Sequence, residues 1–398
     1  MVAQVYLIPG FMEFHSLGSL SYFRRVPELL TQLLAERGLT DTVVRECPTF
    51  PAASIGRRAE RELAYIADCG GQTADSIHII GHSTGGLDAR LLATPGVRLL
   101  PGTVEREIGA RIRSVITMCT PHFGAPLADV LLSIPFRRSA EYLGLFGGSN
   151  RGRLALLGLS RILQVIAHAD DWLGRKDTAL DWFAFNLLKK VTGSAEDPVW
   201  EFMTEMGKDQ GALIQLTMPS LHLFNAAVAD RPDTRYSSVI AVSPPPSLRW
   251  PRGEAVTVAG LASRAAYWTL YAIASRATHW YPYTSLEIEQ VNLARTSAPL
   301  PITKTSSDGV VACRSQAYGR ILDVVLGDHL DVVGHFPHAD GDPHADWLPS
   351  GARFDEASFR RVWSLVAQEI VEAEARQQAP AAEPRSRAAE DGALQPTG

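Results

Sequence analysis

Short apolar segments alternate with longer segments of helical periodicity in the first part of the chain. Apolar and β-branched residues predict strands at 4–8, 42–46, 76–80 and 112–118. Apolar residues spaced three and four apart predict helices at 22–37, 55–68 and 85–93. Because strands that alternate with helices form a largely parallel sheet covered by helices, the pattern predicts an α/β fold.

The pattern changes after residue 126. From about residue 127 to residue 220 the periodicity is helical without a clear strand, while strand patterns return at 237–242 and 321–326 and a closing helix is predicted at 359–375. We therefore predict a core formed by residues 1–126 and 221–375, interrupted by a helical cap insertion at 127–220. Residues 376–398 contain few large apolar groups and are predicted to form a disordered tail.

Composition excludes several classes of protein. The 398 residues are 46% hydrophobic and 20% charged, as in globular proteins, and 38 basic against 43 acidic residues predict no nucleic-acid partner. The cysteines lack metal-finger spacing, which predicts free thiols. The N-terminus does not resemble a signal peptide, so a cytoplasmic protein is expected, or a secreted one whose signal has been removed. The most apolar interior stretch, 265–274, is too short to span a bilayer.

One short motif carries candidate chemistry. The residues from Gly81 to Gly85 read G-H-S-T-G, which fits G-x-S-x-G between a predicted strand and a predicted helix. A serine on so sharp a turn needs glycine two residues before and after it, because larger side chains would collide there. The motif therefore predicts Ser83 as a nucleophile, next to the free N–H groups at the start of a helix.

A serine nucleophile needs a base, and the base needs a carboxylate that orients it. In this topology the expected chain order is serine, acid, histidine. Asp308 lies in a segment whose residues predict a loop, and His329 follows the predicted strand at 321–326. We therefore predict His329 as the base and Asp308 as the orienting acid.

Other residues compete for both roles. The rival histidines are His122, His335, His338 and His344. We favour His329 because it comes first after the predicted strand. Asp323 lies on that strand and Asp328 adjoins the base, which makes both poorly placed to orient His329.

The oxyanion of an acyl-transfer reaction requires two N–H donors. One is expected from the residue after the nucleophile, Thr84, and the other from the loop after an early strand. The loop Pro9-Gly10-Phe11 follows the first predicted strand, so the Phe11 N–H is the predicted second donor.

Together these segments resemble the bacterial triacylglycerol lipases of the α/β-hydrolase superfamily. The matching segments, in chain order, are IPGFM (8–12), IHIIGHSTGGLDAR (77–90), TPHFGAPLAD (120–129), SDGVV (307–311) and DHLDVVG (328–334). The resemblance implies an α/β-hydrolase fold with a mostly parallel central sheet flanked by helices. It also assigns Ser83, Asp308 and His329 to the catalytic triad, with Phe11 and Thr84 as oxyanion donors.

The resemblance implies that no cofactor is required, although such lipases often hold a structural calcium ion near the histidine loop. Asp331 matches one calcium-ligand position of these lipases, whereas His335 and Phe336 stand where relatives place oxygen ligands. The polar run at 335–346 fits either a metal site or, as we prefer, a solvated loop.

The predicted cap bears on the substrate. Its aromatic residues are Trp172, Trp182, Phe183 and Phe185. They fit either a lid that makes transient contact with acyl chains or a lipid surface, or packing against the body of the protein. In both cases an apolar cover predicts a hydrophobic ester or lipid substrate.

Three functions are compatible with this sequence. The leading hypothesis is a carboxylic ester hydrolase of the lipase or esterase type. An acyltransferase would share the acyl-enzyme and differ only in the acceptor, and a non-catalytic α/β-hydrolase scaffold would bind a ligand through its cap. The intact serine, histidine and aspartate argue against the scaffold.

Overall fold

A computed structural model describes residues 2–10, 21–50, 53–133, 211–247, 267–276, 281–295, 300–338, 348 and 350–378. Within these residues the strands are β1 (Ala3–Ile8), β2 (Val43–Glu46), β3 (Ser76–His82), β4 (Ile112–Met118), β5 (Arg235–Val242) and β6 (Arg320–Leu326). All of the predicted strands are present, with nearly the predicted boundaries.

The strands form one sheet in the order β2-β1-β3-β4-β5-β6, and every neighbouring pair is parallel. Parallel sheets are covered on both faces, which is why their strands are continuously apolar. All positions of β1 and β3 are buried accordingly. Since parallel strands point the same way, the loops that follow them meet at one edge of the sheet.

Helices cover both faces of this sheet. The described helices are α1 (Val26–Ala35), α2 (Ile55–Asp68), α3 (Gly85–Ala93), α4 (Val104–Gly109), α5 (Pro126–Ser133), α6 (Gly211–Gln215), α7 (Met218–Ala227), α8 (Ser285–Arg295), α9 (Cys313–Gln316) and α10 (Glu356–Gln378), with a further helical segment at 267–274. Leu30 of α1 and Trp363 of α10 join one buried apolar cluster with the sheet. Leu63 of α2 and Ala89 of α3 join a second cluster. The sheet therefore lies between two apolar layers.

Helix α1 is shorter than the predicted helix at 22–37. It begins at Val26, because Arg25 has a left-handed backbone (φ 61°) and Pro27 occupies the first turn, where its missing N–H costs nothing. Tyr22 and Phe23 precede the helix but are still buried. Their apolar side chains extended the predicted periodicity beyond the helix itself.

The closing helix is longer than predicted. Helix α10 continues to Gln378, so the first residues of the predicted tail at 376–398 are helical. Arginine and glutamine are good helix formers, so they can prolong a helix without an apolar pattern in the sequence. Residues 379–398 lie outside the described part of the chain.

Only the borders of the predicted cap at 127–220 are described. Helices α5 and α6 and the start of α7 fall within it and agree with the predicted helical character. Residues 134–210, which include the four aromatic residues of the cap, lie outside the described part. The cap and its boundaries stay a prediction.

The described strands and helices form an α/β-hydrolase-like fold, as predicted. Its marks are the parallel sheet, the helices on both faces and a sharp serine-bearing turn between β3 and α3. The cysteines are free thiols, and Cys69 is the one of them that is not fully buried. No described helix has the length and apolar character needed to cross a membrane.

Candidate active site

The candidate nucleophile lies at the carboxyl edge of the sheet. Strand β3 ends at His82 and helix α3 begins at Gly85, so Ser83 occupies the turn between them. Its φ of 54° is left-handed, a conformation that costs free energy for a residue with a side chain. The Ser83 N–H donates to the Met118 carbonyl at 2.9 Å, which ties the turn to the end of β4.

Close backbone contacts explain the two glycines of the motif. A Cβ on Gly81 would overlap the carbonyl of Gly85, and a Cβ on Gly85 would overlap the carbonyls of Ile8 and Pro9. Each overlap is with backbone, which cannot move aside as a flexible side chain can. Glycine is therefore required at both positions for the turn to close against β1.

Three side chains form a continuous hydrogen-bonded chain. The Ser83 Oγ lies 3.0 Å from His329 Nε2, and His329 Nδ1 lies 2.7 Å from Asp308 Oδ2. Ser83 and His329 are 8% and 6% exposed, whereas Asp308 is fully buried. The structure thus brings together the three residues selected by chain order, with the hydroxyl and imidazole at the accessible end.

Asp308 is held through both carboxylate oxygens. Its Oδ1 accepts the backbone N–H groups of Val310 and Val311 at 2.9 and 2.7 Å. Its Oδ2 accepts from His329 and also from Gln316 Nε2 at 3.1 Å. Gln316 was not anticipated from the sequence, since an isolated glutamine in a four-residue helix has no signature.

The loop that carries His329 is fixed by a buried histidine. His82 Nε2 lies 2.8 Å from the His329 carbonyl, which can only accept, so this nitrogen carries the proton. In the neutral ring Nδ1 then accepts, and the Tyr22 hydroxyl donates to it at 2.7 Å. Burial and the nearby His329 ring lower the pKa of His82 well below its usual value, which keeps the ring neutral.

Tyr22 also contacts the loop that follows β1. The Gly10 backbone N–H faces the Tyr22 hydroxyl as a donor. A Cβ on Gly10 would lie 2.6 Å from the Ser83 Cβ, so the loop backbone passes directly against Ser83. Tyr22 and His82 therefore connect this loop to the backbone of His329. Neither residue was singled out from the sequence.

The predicted oxyanion donors are described in part. Thr84 is the N-cap of α3, where backbone N–H groups have no partner within the helix. The second predicted donor, Phe11, lies outside the described residues, although the adjacent Gly10 lies inside them.

A buried arginine anchors the same loop from the opposite side. Arg58 donates to the Pro9 carbonyl at 2.7 Å and to Asp88 Oδ2 at 2.8 Å. Both charged side chains have no solvent exposure. Burial raises the pKa of Asp88 to about 6, even though the guanidinium opposes the shift.

The rival histidines make other contacts. His122 contacts a threonine hydroxyl of β4, and His335 and His338 contact backbone carbonyls. His344 lies outside the described residues.

The rival acids are also engaged elsewhere. Asp323 pairs with Arg361 at 3.1 Å, and Asp328 accepts the N–H groups of Leu330 and Asp331 at 3.0 and 3.2 Å. Asp308 is the described carboxylate in contact with His329.

Three described side chains of the histidine loop, Asp331, His335 and Phe336, stand where the lipases that the sequence resembles place calcium ligands, whereas residues 339–346 of the polar run lie outside the described part of the chain. Asp331 Oδ2 accepts the Asp328 N–H at 2.8 Å, and His335 Nε2 faces the Tyr22 carbonyl at 2.9 Å. Phe336 is buried in the apolar core and offers no ligand atom. Calcium takes about six to eight oxygen ligands, and of these three described side chains only Asp331 offers carboxylate oxygens.

One group of potential metal ligands occurs among the described residues. It consists of His82, Cys119 and His329, whose ligand atoms lie within 4.8 Å of one another. Both nitrogens of each ring already face protein partners. The two histidines of the group therefore belong to the hydrogen-bonded contacts described above.

Similarity to known proteins is found among solved structures. The sequence matches no protein-family model and no curated protein. Lipase 1 from Pelosinus fermentans is 16% identical, with a TM-score of 0.46 over 92% of this chain and 98% of that one. EstA from Clostridium botulinum is 18% identical, with a TM-score of 0.47 over 88% and 86%. The Staphylococcus hyicus lipase is 15% identical, with a TM-score of 0.47 over 94% and 97%. Bacterial lipases and esterases are thus among the structural neighbours of this α/β-hydrolase-like chain.

Proposed function

We propose that this protein is a serine hydrolase that cleaves carboxylic esters of hydrophobic acyl chains, as lipases and esterases do. The observation that carries the proposal is the hydrogen-bonded chain from Ser83 Oγ through the His329 ring to Asp308 Oδ2, with contacts of 3.0 and 2.7 Å. A hydroxyl becomes nucleophilic when a neighbouring base removes its proton, and a carboxylate orients that base.

The first half-reaction forms an acyl-enzyme. Ser83 Oγ attacks the ester carbonyl while its proton passes to His329 Nε2, and Asp308 stabilises the imidazolium that results. The N–H groups of Thr84 and Phe11 stabilise the negative charge that develops on the carbonyl oxygen. When the tetrahedral intermediate collapses, His329 returns the proton to the departing alkoxide and the alcohol leaves.

The second half-reaction releases the acid. His329 removes a proton from a water molecule, which attacks the acyl carbonyl through a second tetrahedral intermediate. The bond to Ser83 Oγ then breaks and the proton returns to the serine. In both half-reactions His329 carries the proton, and water is the second nucleophile.

The preference for hydrophobic acyl chains rests on the predicted cap. An aromatic cover above the nucleophile would favour apolar acyl groups and transient contact with a lipid surface. The chain-length optimum is therefore part of the test.

Hydrolysis of a p-nitrophenyl ester series from acetyl to long acyl chains tests the proposal. Ser83→Ala should lower kcat by about a thousandfold or more, because the acyl-enzyme cannot form. Ser358→Ala on α10 is the matched control and should leave kcat unchanged. Both variants should melt at the wild-type temperature, and a chelator should not lower turnover.

Two results would overturn this assignment. Full activity of Ser83→Ala would exclude Ser83 as the nucleophile. Failure of an active-site phosphonate to label Ser83 in the wild type, together with no turnover on any ester, would favour a binding scaffold. Product analysis with competing alcohols would detect transfer to an acceptor other than water.

A further inference from the structure

Gln316, at the end of the short helix α9, lies behind the catalytic acid rather than at the reacting atoms. We propose that Gln316 is a positioning residue that holds the Asp308 carboxylate in the orientation it needs to accept from His329. The inference rests on the proposed function, because it assigns a role within the same hydrogen-bonded chain.

The orientation of the Gln316 amide is fixed by β5. The Ala241 N–H donates to Gln316 Oε1 at 2.9 Å, which identifies that atom as the accepting oxygen. The atom that faces Asp308 Oδ2 at 3.1 Å is therefore the amide nitrogen, and it donates. The direction of this hydrogen bond follows from the contacts themselves.

The Gln316 side chain is sealed from water. Gln316 is fully buried, and its Nε2 also lies 3.2 Å from the Ala241 carbonyl and 3.1 Å from the Val311 carbonyl. An apolar side chain of the same volume would therefore leave no room for a water molecule to replace the amide. The amide thus joins the end of β5 to the Asp308 loop by contacts at both of its ends.

The Gln316 amide restricts the Asp308 carboxylate because of the oxygen to which it donates. Asp308 Oδ2 accepts from both His329 Nδ1, at 2.7 Å, and Gln316 Nε2, at 3.1 Å. Two donors on one oxygen, together with the two backbone donors on Oδ1, prevent the carboxylate from rotating about its Cβ–Cγ bond. The Gln316 donor also stabilises the ionised carboxylate at the moment when the imidazolium forms beside it.

Two substitutions separate positioning from packing. Gln316→Met keeps the volume and removes the donor, whereas Gln316→Glu keeps the shape and donates only while the new carboxyl is protonated. Once ionised, that carboxylate would face Asp308 Oδ2, Val311 O and Ala241 O, none of which can donate. The other titratable groups that interact with Asp308 are His329, Cys119, Cys313 and Tyr267, and Asp328 interacts with Cys119 and Tyr267.

The experiment measures kcat and KM for a p-nitrophenyl ester from about pH 5 to 9, with each variant expressed as a ratio to wild type. Gln316→Met should lower kcat by roughly tenfold to a hundredfold at every pH, with KM changed less than about twofold. For Gln316→Glu the kcat ratio should be near one at low pH and fall as the pH rises. Using ratios removes the titration that the variants share with wild type.

Gln215→Met is the matched control. Gln215 also accepts a backbone N–H, that of Ile55 at 2.7 Å, but it lines a groove formed with Leu91 and Phe224. The Gln215→Met variant should have the wild-type kcat and the wild-type pH dependence of kcat. Circular dichroism and melting temperature identify any variant that fails to fold, and the Gln316→Glu ratio remains decisive if Gln316→Met does not fold.

The inference is wrong if Gln316→Met keeps kcat within about twofold of wild type, or if both substitutions lower kcat equally at all pH values, as lost packing would. Neither of these results would change the assignment of Ser83 as the nucleophile. Activity that survives Ser83→Ala would instead refute the proposed function, so the two failures are distinguishable.

Discussion

Replacing Tyr22 with phenylalanine removes a single oxygen atom from the centre of the active-site network. The hydroxyl lies 2.7 Å from His82 Nδ1, and the Gly10 N–H faces it as a donor. The ring is only 2% exposed and can keep its packing against Phe23. The change therefore tests the two polar contacts and little else.

The expected loss of stability follows from what remains after the change. The Gly10 N–H and His82 Nδ1 would both stay buried without a partner, and each buried unsatisfied group costs about 1 to 3 kcal/mol. We expect Tyr22→Phe to lower the free energy of unfolding by about 2 to 4 kcal/mol. Since Gly10 lies against Ser83 and His82 holds the backbone of His329, we also expect kcat to fall about tenfold or more.

Urea unfolding at pH 7 measures the loss of unfolding free energy, and the ester assay on the same preparations measures the loss of kcat. Tyr318→Phe is the control, because it removes the same atom from a half-buried ring whose hydroxyl donates to Asp230 in an exposed contact of 2.7 Å. It should cost less than about 1 kcal/mol. Equal losses for Tyr22→Phe and Tyr318→Phe would refute the reasoning.

Two further predictions concern the backbone and the pH dependence. Gly85→Ala should lower the free energy of unfolding by at least about 1 to 3 kcal/mol and abolish ester turnover, because the new Cβ overlaps the Ile8 carbonyl. Gly56→Ala is the control, since nothing lies near its Cβ. It should be neutral or slightly stabilising in the same urea titration. Burial lowers the pKa of His335 from 6.5 to about 4, so between these pH values the unfolded chain binds a proton that the folded protein does not. The contribution of His335 to the free energy of unfolding, about 3 kcal/mol, is therefore present above pH 6.5 and is lost as the pH falls towards 4. His335→Gln should flatten that part of the stability curve, and an unchanged slope would contradict the prediction.

The G-x-S-x-G motif and the chain order of the acid and the base selected the three residues that the structure brings together. The parallel strands all end at the same edge of the sheet, so Ser83 after β3 and His329 after β6 were expected at that edge, although β4 and β5 lie between the two strands. The glycines were predictable for the same reason, because a sharp turn between a strand and a helix leaves no room for a side chain. These are local rules that need no knowledge of packing.

The supporting residues follow no such rule. Tyr22 lies before α1, and its apolar ring looked like part of the helical pattern rather than a hydroxyl aimed at His82. Gln316 becomes meaningful only when the end of β5 meets the loop of Asp308. Polar partners from distant segments depend on the completed fold, and a single sequence carries no signal for such pairs.

The concentration of buried polar groups around Ser83 is itself an argument about function. Burying a hydroxyl, an imidazole or an amide costs free energy unless its hydrogen bonds are made, and an apolar core would avoid the cost. Here Tyr22, His82, Gln316 and Asp308 are all buried, and each contacts an element far from it in sequence. A network of this kind has two well-defined effects, which are to fix the proton of each imidazole on one nitrogen and to restrict the rotation of the carboxylate. Both effects would serve the proposed proton transfer between Ser83 and His329, and neither is needed to hold a parallel sheet between two layers of helices.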